Sequence, residues 1–481
     1  MITGEKVNVL MVSTALQGHI NPILKFAKRL ISKGVHVTLI TTEMARDRML
    51  KHNNNEYSNT SNNSDSNDQN QIQFEFFSDG LSLEFDRNKD KDKFVNTLRT
   101  VGSKNLSSLI NNLIKIKGHK YSCMIIDPLL PWAVDIADHH DIPSALLWIQ
   151  PCALYLISYH YHKNFDLFPK LDNPDEKVQL PGLPLLEVRD LPTYLLPSGA
   201  FRSKQVMMEL SQVSNKVKWV FAISNYELEE EILDYYMASS IKIYPIGPLV
   251  SQFMFGEKES IGVNMNMWRV EDSCLEWLDS KSYLSVIYIS FGSVIVLSQE
   301  QVNNLATALK NSDKAFLWVI KPAEKGSEDE IPQLPLGFLE ETKGRGLVVT
   351  WCQQEKVLMH SAVACFMTHC GWNSLLETIV AGVPVIGYPK WGDQPANAKL
   401  IVKKFQNGVV MNLREDRVAS AEEILRSIKE VMEGSSAGEI KKRAFEMKEV
   451  ARKALKEGGS SQRNINQFIN DLKNVGNGSR S

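Results

Sequence analysis

Short apolar runs rich in valine and isoleucine alternate with polar, amphipathic stretches, and the alternation occurs twice along the chain. In the first half the runs lie at residues 7–12, 35–41, 72–77, 123–126, 145–148 and 219–223. In the second half they lie at 286–291, 316–320, 347–350, 364–368, 384–388 and 409–411. Helical spacing fills many of the gaps. Residues 22–33 place Ile23, Phe26, Ala27 and Leu30 on one face, and 299–311 do the same with Val302, Leu305 and Leu309. Uninterrupted apolar strands separated by helices must be buried on both faces, which is the condition of a parallel sheet. Two such blocks predict an α/β chain of two Rossmann-like, doubly wound domains. The expected boundaries are 1–247, a linker at 248–272 that follows the last run of the first half, and 273–460.

Charge and cysteine content narrow the function classes. The 481 residues carry 54 Lys+Arg against 56 Asp+Glu, a net charge of -2, so no strong field attracts nucleic acid. Cys123, Cys152, Cys274, Cys352, Cys365 and Cys370 are scattered with no CxxC pair, which argues against a disulfide scaffold or a cysteine metal site. Residues 1–12 show no basic segment followed by a signal-like apolar stretch, and no 18-residue apolar run occurs. A cytoplasmic enzyme without integral membrane association is expected. Residues 52–71 are nearly all Asn, Ser, Asp and Gln and are expected to be a mobile insertion. Residues 324–335 read as a surface loop and the basic stretch 437–456 as a solvated helix face.

The chemistry concentrates between Trp351 and Gln394. A buried strand at 364–368 is followed by the turn His369-Cys370-Gly371, where Gly371 permits close backbone approach, and by a helix from Asn373 to about Ala381. A helix N-terminus at the carboxyl end of a parallel sheet presents free N–H groups and a positive dipole end to an anion. His369 and Ser374 add donors, and Glu377, one turn beyond Ser374, suits a ribose diol. Ser374 and Glu377 equally fit a capping box, Asn373 a helix cap, and His369 an interior histidine. Asp393-Gln394, before Pro395, could grip sugar hydroxyls or simply open a helix. Trp351, near Gln354, is either core or a stacking face for a base.

In the first half, Gln17-Gly18-His19-Ile20-Asn21-Pro22 lies between the first strand and the first helix. Asn21 is expected to cap that helix with Pro22 at its first position, leaving His19 on a loop at a cleft mouth. Asp127 ends the run 123–126 and precedes Pro128, as a turn-initiating aspartate would. Residues 13–19 hold a single glycine, Gly18, so the G-x-G-x-x-G of a dinucleotide oxidoreductase or epimerase is absent.

The 44 residues from Trp351 to Gln394 resemble the signature box of plant family-1 UDP-sugar-dependent glycosyltransferases, and the similarity extends over the chain. The resemblance implies the GT-B fold, with two domains facing each other across a cleft and a helix within 461–481 crossing back to the first. Trp351 would then stack on uracil, with backbone contacts from Cys352. Gln354 and Glu377 would hold the ribose, and Ser293, His369, Asn373 and Ser374 the diphosphate. Trp372, Asp393 and Gln394 would hold the sugar, and glutamine at 394 is associated with glucose. His19 would be the catalytic base and Asp127 its orienting carboxylate, while Gly18, Ile149 and Gln150 would lie near sugar or acceptor. UDP-glucose is implied as co-substrate, with inversion at the anomeric carbon and no metal or other cofactor, in a monomer. Residues 147–152 and 183–192 resemble the branch that makes glucose esters of indole-acetic, benzoic and cinnamic acids, so a small aromatic acid is the expected acceptor. Asp127 keeps phenolic O- or aromatic C-glucosylation open. The presence of both His19 and Asp127 argues against a non-enzymatic UDP-sugar-binding protein.

Overall fold

Strands that pack helices on both faces need apolar side chains in both directions, and the central runs here meet that requirement along their full length. β1 (Asn8–Val12), β2 (His36–Thr42), β3 (Gln73–Phe77), β4 (Cys123–Ile126) and β5 (Ser144–Trp148) open the first half. Every residue of β4 and β5 is buried. A short antiparallel pair follows, β6 (Lys177–Val178) and β7 (Leu186–Glu187), and then β8 (Trp219–Ala222) and β9 (Tyr244–Pro245). The second half holds β10 (Val286–Ser290), β11 (Ala315–Val319), β12 (Gly346–Val349), β13 (Val363–Thr368), β14 (Val385–Gly387) and β15 (Gly408–Val410). The computed structural model describes residues 7–52, 71–87, 89–239, 241–257, 273–320 and 332–478. Most of the Asn/Ser-rich insertion (53–70), of the expected linker (258–272) and of the loop before Pro335 (321–331) lies outside the described residues.

Two parallel sheets result. The first runs β3-β2-β1-β4-β5-β8-β9 and the second β12-β11-β10-β13-β14-β15. In each, chain order reverses beside the first strand, so β1/β4 and β10/β13 are topological switch points, where a crevice opens beyond the strands' carboxyl ends. His19 and Asp127 follow β1 and β4; Gly292 and His369 follow β10 and β13. Both halves of the expected chemistry therefore sit at switch points.

The first helix departs from expectation. It spans Gln17–Ile31, with Leu16 as N-cap and no side-chain cap, so Asn21 does not cap it and Pro22 lies inside it. Leu16 O accepts from both His19 N and Ile20 N (2.9 Å each), which starts the helix five residues before Pro22. A proline has no N–H for the carbonyl four residues back. That carbonyl, Gly18 O, instead accepts from Asn373 Nδ2 at 2.8 Å. The defect in one helix is thus filled by the other half of the chain, and His19 sits on the rigid first turn of a helix. The buried stripe Ile20, Ile23, Leu24, Ala27 and Leu30 anchors that helix on the sheet.

Further bonds join the halves. Thr193 N donates to Gly392 O and Gly392 N to Thr193 Oγ1, both at 2.8 Å, and Lys399 Nζ lies 2.6 Å from Asp190 Oδ2. The 183–192 segment, singled out above for its resemblance to the ester-forming branch, leads directly into this clasp. The last helix, Ser460–Gly478, packs Phe468 edge-on against Trp219 and Phe221 (5.2 and 4.8 Å between ring centroids) and donates from Asn464 Nδ2 to Pro245 O at 2.8 Å. All six cysteines are free and buried. Among the described residues, no helix is long and apolar enough to cross a membrane.

Candidate active site

His19 and Asp127, 108 positions apart, meet at the first switch point. Asp127 is fully buried and collects donors on both oxygens. Oδ1 accepts from His19 Nδ1 (2.7 Å) and Leu129 N (2.9 Å), and Oδ2 from Thr14 N and Thr14 Oγ1 (2.9 Å each). Burial works to raise this carboxyl, but the His19 charge and these hydrogen bonds outweigh it, and the net shift is downward. An ionised Asp127 takes the proton of His19 Nδ1 as its hydrogen bond, which leaves the lone pair on Nε2. The His19 side chain keeps 19% of its surface exposed. The pair is an imidazole held by a buried carboxylate, with Nε2 left unbound by it.

At the second switch point, the helix Trp372–Ala381 begins at Gly371, which has extended backbone and no side-chain cap. The N–H groups of Trp372, Asn373 and Ser374 precede the first intrahelical bond, from Leu375 N to Gly371 O (3.0 Å). Left-handed backbone in this turn falls on Cys370 (φ 65), not on Gly371 (φ -66). Gly371 serves a different need. A Cβ there would stand 2.4 Å from His369 Nε2, and one at Gly292 would stand 2.7 Å from His369 Cε1. The imidazole is therefore slotted between two glycines. Burial lowers its pKa to about 4, so it is neutral at pH 7 and supplies a hydrogen bond without a charge. Ser293 follows Gly292 directly.

No capping box forms. Gln354 Nε2 donates to Ser374 Oγ (2.9 Å) and to Glu377 Oε2 (2.7 Å), while Gln354 Oε1 accepts from Tyr288 Oη (3.1 Å). Ser374 and Glu377 thus turn inward to the start of the Gln354–Leu358 helix. The Cys352 thiol is buried 3.4 Å from Tyr288 Oη, so only its backbone is left for a ligand. Trp351 is half-buried, neither core nor free surface. The Trp372 indole, by contrast, is buried 6.2 Å from the Phe405 ring. Any contact from Trp372 to a ligand in the cleft is through its main-chain N–H.

Asp393 and Gln394 complete the rim. Asp393 precedes the Gln394–Leu400 helix without capping it and accepts from Asn397 Nδ2 at 2.6 Å. Burial pushes its carboxyl up to about 6 against hydrogen bonds from Asn397 and Gln150, and the His19 charge also reaches it. Gln394 Oε1 accepts from Lys390 N (2.8 Å) and Trp391 N (3.2 Å), leaving the amide NH2 as the donating end. Just past β5, Ile149 is buried and Gln150 half-buried. The two switch points therefore carry a carboxylate-bonded imidazole, an uncapped helix N-terminus, an inward-turned glutamate and an adjacent carboxylate and amide.

Sequence reasoning missed Lys25 and Glu355. Lys25 Nζ lies 2.8 Å from Glu355 Oε1 and 3.3 Å from Glu377 Oε1. The only local signal was that Lys25 stands seven residues after Gly18, two turns along the same helix face. Its partners are 330 and 352 positions away.

Comparison with known proteins fits this geometry. Residues 271–447 match the family described as UDP-glucoronosyl and UDP-glucosyl transferase. UDP-glycosyltransferase 84B2 of Arabidopsis thaliana is 43% identical over 463 residues, 96% of this chain and 99% of its own length. Gallate 1-beta-glucosyltransferase 84A23 of Punica granatum is 38% identical over 97% of this chain and 91% of its own. Among solved structures, Os79 from O. sativa in complex with UDP superposes with a TM-score of 0.81 at 27% identity, covering 96% of this chain and 100% of that one. The chain is a UDP-glucose-dependent glycosyltransferase of GT-B fold and belongs to the plant family-1 UDP-glycosyltransferases, close to their ester-forming branch.

Proposed function

We propose that this enzyme moves glucose from UDP-glucose to the carboxylate of a small aromatic acid, forming a 1-O-glucose ester with inversion at the anomeric carbon. The observation that carries it is the closure of one switch point on the other. Asn373, in the first turn of the anion-receiving helix, holds Gly18 O at 2.8 Å, next to His19. The fold supports the following donor contacts. Trp351 and the Cys352 backbone take uracil, and Gln354 and Glu377 take the ribose. The N–H groups of residues 372–374, with His369 and the Ser293 and Ser374 hydroxyls, take the diphosphate. Asp393 and Gln394 take the glucose hydroxyls. As UDP leaves, its growing negative charge meets N–H dipoles already aimed at it. We assign that stabilisation to the helix end and not to a metal ion. Each chain holds both halves of the site, so a monomer suffices, and free thiols suit the cytoplasm. The acid acceptor rests on relatives such as the gallate 1-beta-glucosyltransferase.

A second acceptor class is favoured by one observation. The His19–Asp127 pair is fully formed at 2.7 Å, yet an acid already ionised at pH 7 has no proton to give it. A phenol does, and Nε2 of His19 would accept it during attack. An acceptor panel with UDP-glucose, run with and without EDTA, tests both readings. The expected products from aromatic acids are esters that mild alkali cleaves, formed equally with EDTA. Alkali-stable glucosides alone would refute the ester reading, and loss of transfer in EDTA the metal-free one.

A further inference from the structure

Lys25 is charged, inward-facing and unused by the reaction as described. It reaches from the helix that carries the base into the other half of the molecule, to the residues around the nucleotide site. Glu355 and Glu377 converge on it, and Glu355 is held further by Ser251 N at 3.0 Å and by Ser251 Oγ. Glu377 Oε2 takes the Gln354 amide, so Lys25 Nζ is the only cation among the described residues that is paired with Oε1. Two carboxylates this close cannot both stay ionised in a desolvated site without a cation between them. Burial, opposed by Lys25, leaves Glu377 raised, whereas Lys25 and Ser251 together hold Glu355 down. Of the two acids, Glu377 has fewer donors besides Lys25: the Gln354 amide alone, against Ser251 N and Oγ on Glu355.

We propose that Lys25 is a positioning residue for the nucleotide: it holds the Glu377 side chain aimed so that it can accept hydrogen bonds from the ribose diol. The same contact ties the base helix to the donor site. Gly18 and Lys25 share one helix face, and Asn373 and the two glutamates grip it two turns apart. When a ribose hydroxyl takes Glu377 Oε1, the ammonium remains on Glu355, so its charge stays in the site. This inference rests on the assignment of Glu377 to the ribose and names the residue that makes that assignment work.

The test measures affinity of the full-length protein for UDP and for 2′-deoxy-UDP by calorimetry. Wild type is expected to prefer UDP by about tenfold or more, the worth of one hydrogen bond to a charged acceptor. Glu377→Gln is expected to bring that ratio close to one. A wild-type-like ratio in Glu377→Gln would refute the ribose assignment itself. Lys25→Met is expected to cut the ratio at least fivefold, and Lys25→Arg to restore most of it. A wild-type ratio in Lys25→Met, alongside a collapsed ratio in Glu377→Gln, overturns the role of Lys25 and leaves the ribose assignment standing. Equal weakening of both nucleotides also overturns it, since a merely structural lysine would act that way. Should Lys25→Met fail to fold, Lys25→Gln reads the same outcomes.

Discussion

Replacing Asp127 by asparagine separates the two acceptor classes. Four donors at 2.7–2.9 Å converge on this carboxylate, with Leu129 N on one oxygen and Thr14 N on the other. An asparagine offers one oxygen. Whichever way the amide turns, one buried main-chain N–H faces an NH2 group, at a cost of about 1–3 kcal/mol. The bond to His19 also loses its charge assistance, about 1 kcal/mol more. The variant should therefore be about 2–4 kcal/mol less stable, against a usual total of about 5–15 kcal/mol, and should still fold. With the oxygen toward His19, the imidazole keeps its tautomer but has no counter-charge once protonated. With the amide NH2 toward His19, the proton moves to Nε2 and the base is lost. For a phenol, with a pKa of about 10, only about one molecule in a thousand is ionised at pH 7, so kcat/KM should fall about 10²–10⁴-fold. An aromatic acid with a pKa near 4 is already ionised and should lose less than about tenfold. Initial rates of UDP release for one acid and one phenol, on wild type, Asp127→Asn and His19→Ala, decide the matter. Urea unfolding checks the fold in parallel. Equal losses for both acceptors would refute the claim that His19 acts by taking the acceptor's proton.

Gly371→Ala isolates the packing of His369: at φ -66 alanine is unstrained, but its Cβ would stand 2.4 Å from Nε2. The ring must move at an overpacking cost of about 1–3 kcal/mol, and UDP affinity measured by calorimetry should fall about tenfold or more; unaltered affinity would remove His369 from the diphosphate site. Asp393→Asn should trade activity for stability. The Asp393 carboxyl is raised by burial to about 6, so its ionisation opposes folding as pH rises from about 4 through 6 and costs up to about 3 kcal/mol at pH 7. Urea unfolding at pH 7 should show the variant more stable by about 1–3 kcal/mol, with a smaller fall in stability between pH 4 and 7 and transfer reduced more than about 100-fold. Lower stability with an unchanged pH slope would contradict the assigned burial cost.

Much of the geometry of the proposed donor side was legible because it is local. A strand, a tight turn and a helix start within ten residues, and that order already sets a helix N-terminus at the carboxyl end of the sheet. The choice between cap and ligand for Ser374 and Glu377 was not legible, since both use the same residue types. Gln354, twenty residues upstream of Ser374, removed the capping box by drawing both side chains inward. The start of the first helix was misjudged for a related reason. Pro22 looks like a first residue when only its own chain is considered. It sits mid-helix because Asn373 supplies the hydrogen bond it cannot make.

By itself the sequence determined the two parallel sheets, their alternation with helices and the placement of glycines at the turns, because burial on both faces and backbone sterics are written in runs of a few residues. Only the tertiary structure decided which distant polar groups meet. The His19–Asp127, Lys25–Glu355 and Thr193–Gly392 pairs draw their strength from exclusion of water between surfaces far apart along the chain, and no short stretch of residues specifies such an enclosure.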